Sequence, residues 1–347
     1  MNKKGDFFMK KNLLVLVLLL CLTGLLFAEG SKEIAIDDNW PTKSINLIVP
    51  WNPGDGTDLA ARAYAQALQN VTGKAVVVIN KPGASGSVGT LYASKLPADG
   101  YNILFSPETP GTFQVMGISN IGFDSFDGIM MMAEDTKVIV VDGDSKYQNI
   151  NDLITAIKAN PGKVKMAYSG PGASGHIQGL LFKAMGLETS MTPFGGGAAG
   201  LTAVMGGQVD FTFANTATTL GYIKSGDLKP LAVFTDKENK ALPGVPAFTD
   251  ILPESKKYLP LGFPYSVLVP KGTDQKLIKQ IISATEKATA DSAWTDYLAV
   301  RDSYNTLYEF KGEQVNEYWK KWQKLVDYLL YDAGVTKYSP EKFGIER

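Results

Sequence analysis

Short segments rich in β-branched residues alternate with amphipathic segments along most of the chain, and this alternation limits its fold more than any other feature. The predicted strands are Ile45–Pro50, Ala75–Asn80, Asn102–Ser106, Val138–Asp142, Val164–Ser169, Val209–Ala214, Pro230–Thr235 and Ser266–Pro270. The predicted helices are Asp58–Val71, Val88–Leu96, Ile150–Ala159, His176–Met185, Ala198–Met205, Thr216–Lys224, Asp274–Thr289 and Gly312–Asp332. Strands this short, separated by helices, predict an α/β fold with largely parallel sheets.

The alternation stops at residues 107–137, which are rich in Gly, Phe and Met, and at residues 236–264, which are rich in Pro. A chain of 347 residues is long enough for two lobes, and two such connections let it leave one lobe and return. The predicted division is a signal peptide at 1–28, a linker at 29–42, lobe 1 at 43–142, lobe 2 at 143–262, and a return to lobe 1 with the C-terminal helices at 263–347.

Residues 9–28 have the layout of a secretory signal peptide. Two lysines precede an apolar run, and Ala28 comes just before a polar stretch, so cleavage is expected after Ala28. A membrane anchor and lipidation at Cys21 are the alternatives. The apolar run is short for a membrane span, and Leu20 is not the small residue expected before a lipidated cysteine. We therefore expect export to the periplasm.

Composition excludes several classes of site. Cys21 is the single cysteine and His176 the single histidine, which leaves no disulfide and no multi-histidine zinc site to expect. The formal net charge is −1 at pH 7, without the basic balance typical of nucleic-acid binding. We expect no metal, no cofactor and no nucleic-acid partner.

Glycine-rich turns between strands and helices are the most informative local motifs. They are Gly54–Asp58, Pro82–Ser87, Gly170–Gly175 and Gly195–Gly200. A helix N-terminus has unpaired backbone N–H groups and a positive partial charge, and glycines let a ligand approach that backbone closely. Such turns can hold a carboxylate or a phosphate without a basic side chain.

Two of these turns match GxGxxG, but neither indicates a dinucleotide site, because no acidic residue follows about 20 positions later. Ser174 and His176 lie too close in sequence to suggest a catalytic triad. His176 is therefore predicted to be a capping or pocket residue and not a general base.

Six long segments resemble, in order and spacing, the substrate-binding proteins of tripartite tricarboxylate transporters, the Bug/TctC receptors. They are PWNPGDGTDLAARAYAQAL, VVVINKPGASGSVGT, PADGYNILF, NDLITAIKANPGKVKMAYSGPGASGHIQGLLFKAMG, MGGQVDFTFANTATTLGYIKSGDLKPLAVF and ALPGVPAFTD. The resemblance implies a periplasmic-binding-protein-like fold, in which two α/β lobes joined by a hinge close over one ligand. In this family the ligand is usually a carboxylate held by backbone amides, small polar side chains and water.

The resemblance also implies which residues face the ligand. They are Asn52, Gly54, Gly56, Thr57, Asp58, Ser85 and Gly86 in lobe 1, and Ser169, Gly172, Ser174, His176, Asn215 and Thr216 in lobe 2. Asp55 joins them because Gly-Asp-Gly replaces the family's run of glycines, although its side chain could equally point to solvent. The common Tyr-Lys-Gly is replaced by Phe194-Gly195-Gly196. The two changes lower the positive charge near the pocket and argue against a citrate-like polyanion.

The resulting expectation is a non-enzymatic, monomeric receptor. It binds a small carboxylate through helix N-terminal amides and lobe closure, and delivers it to the large and small membrane subunits of a permease. The alternatives are an orphan solute sensor that reports to a signalling partner, and an exported enzyme that uses Asp58 or His176.

Overall fold

The computed structural model describes residues 39–258, 263–299 and 304–347. The predicted signal peptide and most of the predicted linker lie outside the described residues. Within those residues, no helix has the length and apolar character needed to cross a membrane.

Eleven strands form in the described part of the chain. They are β1 (Ile45–Val49), β2 (Val76–Asn80), β3 (Asn102–Ser106), β4 (Phe126–Asp135), β5 (Lys137–Asp142), β6 (Lys165–Tyr168), β7 (Ser190–Pro193), β8 (Phe211–Asn215), β9 (Leu228–Val233), β10 (Phe263–Pro270) and β11 (Tyr304–Thr306). All eight predicted strands correspond to strands of the structure. The sequence analysis missed β4, β7 and β11.

Eight of the eleven α-helices of the same residues match the predicted amphipathic segments, and the three at Phe113–Met116, Phe248–Ile251 and Ser292–Ala299 were not predicted. In chain order the eleven helices are α1 (Gly56–Thr72), α2 (Ser87–Ser94), α3 (Phe113–Met116), α4 (Ile150–Ala159), α5 (Ser174–Ala184), α6 (Gly197–Met205), α7 (Thr216–Ser225), α8 (Phe248–Ile251), α9 (Gln275–Thr289), α10 (Ser292–Ala299) and α11 (Glu313–Asp332). Asn149 caps α4 in a capping box with Asp152, a local signal that the sequence carries in full.

The strands form two sheets, which confirms the predicted α/β fold with two lobes. The first sheet has the order β11-β4-β10-β3-β1-β2 and the second has the order β7-β6-β8-β5-β9. We call the first sheet with its helices lobe 1 and the second sheet with its helices lobe 2. Each lobe has a buried apolar core on its sheet, with Leu47, Ile103 and Val267 in lobe 1 and Val140, Ala167 and Val204 in lobe 2.

The expectation of largely parallel sheets was wrong. Strand β1 runs parallel to β2 and β3, and β6 runs parallel to β7 and β8. However, β10 is antiparallel to β3 and β4, and β5 is antiparallel to β8 and β9. Strand β5 therefore runs against the other strands of the second sheet, and β10 and β11 run against the other strands of the first sheet.

The first crossing between lobes lies earlier than expected. Residues 107–137, read from the sequence as a connection, contain the ten-residue strand β4 of the first sheet. Strand β5 already belongs to the second sheet, although the predicted boundary at 142 placed it in lobe 1. Strand β10, which begins at Phe263, belongs again to the first sheet.

Candidate functional site

A cavity of about 220 Å³ lies between the two lobes. On the side of lobe 1 it is lined by the turn after β1, the residues after β3 and the first part of β10. On the side of lobe 2 it is lined by the start of β5, the turn after β6, the start of α6 and the end of β8. The carboxyl ends of parallel strands are where α/β folds place ligands, because the turns there present helix N-termini.

The structure brings half of the predicted site residues to this cavity. The ones that line it are Gly54, Asp55, Gly56, Thr57, Ser169, Ser174 and Asn215. The ones that do not are Asn52, Asp58, Ser85, Gly86, Gly172, His176 and Thr216. Contact of any of them with a ligand stays a prediction.

Asp55 links the lobes through the N-terminus of α6. Its Oδ1 accepts a hydrogen bond from the Ala198 backbone N–H at 3.0 Å. The Asp55 side chain is 5% exposed, and its Oδ2 has no hydrogen-bond partner among the described residues. Burial raises the pKa of the Asp55 carboxyl, while the Ala198 N–H and the neighbouring Asn52 favour its charged form. The Asp55 carboxylate is therefore buried between the lobes beside the cavity and does not point to solvent.

Glu108 links the lobes through the N-terminus of α5. It follows β3 in lobe 1, is 4% exposed, and its Oε1 accepts a hydrogen bond from the Ser174 backbone N–H at 3.0 Å. Burial raises the pKa of the Glu108 carboxyl, and the nearby Lys137 charge partly opposes this shift. At both α5 and α6, an N-terminal amide of lobe 2 that was expected to bind a ligand carboxylate binds a carboxylate of lobe 1.

Lys137 brings a positive charge into the cavity. It is the first residue of β5, is 7% exposed, and donates a hydrogen bond from Nζ to Asn215 Oδ1. The Asn215 Nδ2 group in turn donates to the Tyr265 hydroxyl of lobe 1 at 2.9 Å. Burial lowers the pKa of Lys137, and Glu108 and Asp135 act in the opposite direction. No carboxylate of the described residues lies within 4 Å of its Nζ.

Two glycines allow this close approach of the lobes. A Cβ atom on Gly56 would lie 2.7 Å from Asn215 Nδ2 and 3.3 Å from the Tyr265 hydroxyl. A Cβ atom on Gly196 would overlap the Asp55 carboxylate. Any side chain at these positions would push the Asn215 and Asp55 contacts apart, so glycine is required there by space.

Asp58 lies behind the cavity, where it holds the turn together. Its carboxylate accepts hydrogen bonds from Gly54 N, Arg62 Nε and Asn80 Nδ2, each at 2.8 Å. Although burial opposes ionisation, these donors together hold the pKa of Asp58 below its ordinary value. These contacts are those of a carboxylate that stabilises the turn and does not bind a ligand.

His176 is also behind the cavity. It is 9% exposed, stacks on Tyr168 with ring centroids 4.8 Å apart, and accepts a hydrogen bond from Gly172 N at Nδ1. Burial lowers the pKa of His176 to about 4. The ring is therefore neutral at pH 7, and it fixes the turn that carries Ser174.

The remaining predicted residues lie at the rim or in the surrounding structure. Asn52 Nδ2 donates to Gly195 O across the lobes at 2.6 Å. Ser85 approaches Gly170 of lobe 2 closely, and Gly86 O accepts a hydrogen bond from Thr90. Thr216 is fully buried and bonds the Thr136 carbonyl.

The sequence analysis missed the other two charged residues of the cavity, Glu108 and Lys137. The sequence around each of them carries a signal that could have identified it. Lys137 directly precedes the four apolar residues Val138–Val141 of β5, and Glu108 follows the fully buried strand Asn102–Ser106. A charged side chain is rarely buried without a partner or a function.

Comparison with known proteins identifies the family. The tripartite tricarboxylate transporter family receptor, TctC, matches residues 60–328. Protein BugT of Bordetella pertussis is 31% identical over 273 residues, which cover 75% of this chain and 81% of BugT. The structure of the periplasmic binding protein BugD is similar with a TM-score of 0.79 and 27% identity, over 86% of this chain and 99% of BugD.

The same fold occurs in a solved protein of lower sequence identity. An R. palustris protein solved with adipate has a TM-score of 0.75 and 22% identity, over 86% of this chain and 99% of that protein. The match to TctC over most of the sequence, together with BugT, confirms the resemblance drawn from the sequence motifs. The chain belongs to the TctC family of tripartite tricarboxylate transporter receptors, which are solute-binding proteins.

Proposed function

We propose that this protein is an extracytoplasmic receptor that binds a small carboxylate in the cavity between its lobes and delivers it to the membrane subunits of a tripartite transporter. The observation that carries the proposal is Lys137. A buried ammonium group that lines a cavity, with no carboxylate within 4 Å among the described residues, is stabilised by an anionic ligand. The protein of the same fold that was solved with adipate supports a carboxylate as the ligand class.

The mechanism is capture followed by enclosure. Hydrogen bonds cross between the lobes at Asn52–Gly195, Asp55–Ala198, Glu108–Ser174, Thr112–Gly172 and Asn215–Tyr265. A ligand bound between these contacts would be shielded from water, and the closed surface would be what the permease recognises. Release then requires these hydrogen bonds to break.

To deliver its ligand to these membrane subunits, the receptor would have to be exported across the cytoplasmic membrane. Export would use residues 1–28 as the signal peptide, so the mature protein would begin at Glu29. N-terminal sequencing of the protein recovered from the periplasm tests this part, and retention of residues 1–28 would contradict it.

A thermal-shift screen tests carboxylate binding. The full-length protein is denatured and refolded to remove carried-over ligand, then heated with mono-, di- and tricarboxylates, amino acids and aromatic acids. A ligand at 100 times its dissociation constant should stabilise the fold by about 2.7 kcal/mol. A selective shift with one class of carboxylate supports the proposal. No shift with any carboxylate, from a sample that unfolds cooperatively, would contradict it.

A further inference from the structure

Helices α5, α6 and α7 of lobe 2 begin against lobe 1, and a carboxylate of lobe 1 lies at each of these starts. The first N–H groups of a helix have no acceptor within the helix itself. Here they donate to lobe 1 at 3.0, 3.0 and 3.2 Å. The three pairs are Ser174 with Glu108, Ala198 with Asp55, and Ala217 with Asp135. Lobe 1 therefore caps three helices of lobe 2 with its own acids.

The cap of α7 differs from the other two in its place along the chain. Asp135 ends β4, and only Thr136 separates it from β5 of lobe 2. The Thr136 carbonyl also accepts a hydrogen bond from the start of α7, so opening of the lobes need not separate Asp135 from Ala217. Glu108 and Asp55 lie on turns away from this crossing, and their contacts with lobe 2 break when the lobes open.

Opening the lobes would move Glu108 and Asp55 from a buried place into water. Each is less than a tenth exposed in the closed arrangement of the structure. Both line the cavity between the lobes, so lobe 2 is the cover that opening removes. A carboxyl group that is buried in one state and hydrated in the other binds its proton with different strength in the two states.

The groups that face the two acids act in both directions, and burial has the largest influence. Burial raises the pKa of Glu108, while the charge of Lys137 on β5 and the N-terminus of α5 oppose this shift. Burial also raises the pKa of Asp55, and the charge of Asp58 acts in the same direction. The N-terminus of α6 and the Asn52 side chain oppose the shift of Asp55.

The closed lobes therefore hold protons on these two acids more tightly than open lobes, in which both carboxyl groups would have their ordinary pKa. Closure is favoured when the acids are protonated, and this advantage is lost as the pH rises through their closed-state pKa. A protonated carboxyl group keeps an acceptor oxygen for the helix N–H group. Both contacts can therefore persist at low pH.

We propose that Glu108 and Asp55 form a pH-sensitive latch between the lobes, which closes more firmly as the pH falls and opens more readily as it rises. Both are positioning residues, because they set the arrangement of the lobes. The inference uses the lobe movement of the proposed function but not its ligand, so the two proposals can fail separately.

Amide hydrogen exchange, followed by NMR, measures each half of the latch. The full-length protein is denatured and refolded, and no ligand is added. In the wild type, protection of the Ser174 and Ala198 amides should increase by about threefold or more from pH 8 to pH 5, after correction for the intrinsic exchange rate. The Asp152 amide, which Asn149 caps within lobe 2, is the control and should keep its protection.

Glu108→Ala distinguishes a latch from a local cap. The variant leaves Ala198 and its acceptor Asp55 in place, so a purely local role of Glu108 would leave the exchange of the Ala198 amide unchanged. If the lobes open as units, this amide should exchange about fivefold faster at pH 5. Glu108→Gln keeps an acceptor for Ser174 N and should restore at least the wild-type protection.

The double variant Glu108→Gln, Asp55→Asn tests the pH dependence. Neither amide side chain titrates, so protection of Ser174 and Ala198 should no longer change between pH 8 and pH 5. His176 titrates in wild type and variant alike, so the difference between them reports the two acids. Asp124→Asn, at an exposed acid of lobe 1, should retain the wild-type pH dependence.

Three results would overturn the latch without touching the ligand-binding proposal. They are wild-type protection that does not change with pH, unchanged Ala198 exchange in Glu108→Ala, and wild-type pH dependence in the double variant. A thermal unfolding scan of each variant establishes that it is folded.

Discussion

The turn after β1 contains two buried acids three residues apart, Asp55 on the side of the cavity (the front) and Asp58 on the side of lobe 1 (the back). Their hydrogen-bond partners differ. Asp58, at the back, accepts three hydrogen bonds within lobe 1, and these hold its pKa below the ordinary value. Asp55, at the front, has one partner in the other lobe and one unpaired oxygen, and burial raises its pKa. The same type of side chain holds one turn together at Asp58 and joins the two lobes at Asp55.

The turn after β6 repeats this division in lobe 2. Ser169 and Ser174 line the cavity, whereas Gly172 and His176 hold the turn from behind. Changes at the back should therefore affect stability more than affinity, and changes at the front should affect affinity more than stability.

His176 should give the largest effect on stability, as a function of pH. Its folded-state pKa is about 4 against an ordinary value of 6.5, so the unfolded chain binds a proton first as the pH falls. Stability should be constant above pH 6.5 and should fall between pH 6.5 and 4, by about 3 kcal/mol in total from this group. Urea unfolding at a series of pH values measures the loss. His176→Gln should flatten this part of the curve, and an unchanged curve would show that the ring is not buried as a neutral group.

Asp58→Ala should have the second-largest effect on stability. The change leaves Gly54 N without its acceptor and leaves Asn80 Nδ2 with the Trp51 carbonyl alone, although Arg62 is half exposed and can turn to water. We expect the free energy of unfolding to fall by about 2 kcal/mol, with ligand affinity nearly unchanged once the protein is folded. Urea unfolding and calorimetry measure the two quantities. A large loss of affinity with normal stability would place Asp58 at the front.

Asp55→Asn should affect ligand binding more than stability. Because Asn keeps an acceptor for Ala198 N and removes a buried charge, the free energy of unfolding should change by less than about 1 kcal/mol. The affinity for the best carboxylate should nevertheless rise, because one negative charge is removed from the lining of the cavity. Equal losses of stability in Asp55→Asn and Asp58→Ala would remove the distinction between front and back.

Asn52→Ala should have the smallest effect. The Asn52 hydrogen bond to Gly195 O crosses the lobes at an exposed position, and such a bond contributes about 1 kcal/mol or less. The ligand should dissociate up to about fivefold faster, as measured by stopped-flow fluorescence. Asn70→Ala, which removes an exposed hydrogen bond to Asp291 within lobe 1, is the control and should leave the dissociation rate unchanged.

Much of the fold follows from local sequence patterns. Strands such as β1 and β3 are short apolar runs followed by turn residues, and the Asn149 capping box marks the start of α4. Strand β4 was missed because its sequence, FDGIMMMAED, contains Gly and Met in place of β-branched residues. Its strand conformation depends on pairing with β10, which lies more than 120 residues away along the chain.

The site was predictable only in part, for a similar reason. The glycine-rich turns could be located because turn geometry is local. Glu108 and Lys137 meet α5 and Asn215 through tertiary contacts between lobes, which no local pattern encodes. The sequence analysis therefore expected the pocket to lose positive charge, whereas the fold brings Lys137 into it.

The affinity of Lys137→Met for the best carboxylate tests the central claim most directly. Met keeps the length and apolar character of the lysine stem and removes the charge that a ligand carboxylate would contact. Titration calorimetry should show affinity weakened by about 100-fold relative to the wild type, while Lys158→Met, at an exposed lysine of α4, should bind like the wild type. Affinity within about twofold of the wild type in a folded Lys137→Met would contradict the claim that this cavity binds a carboxylate through Lys137.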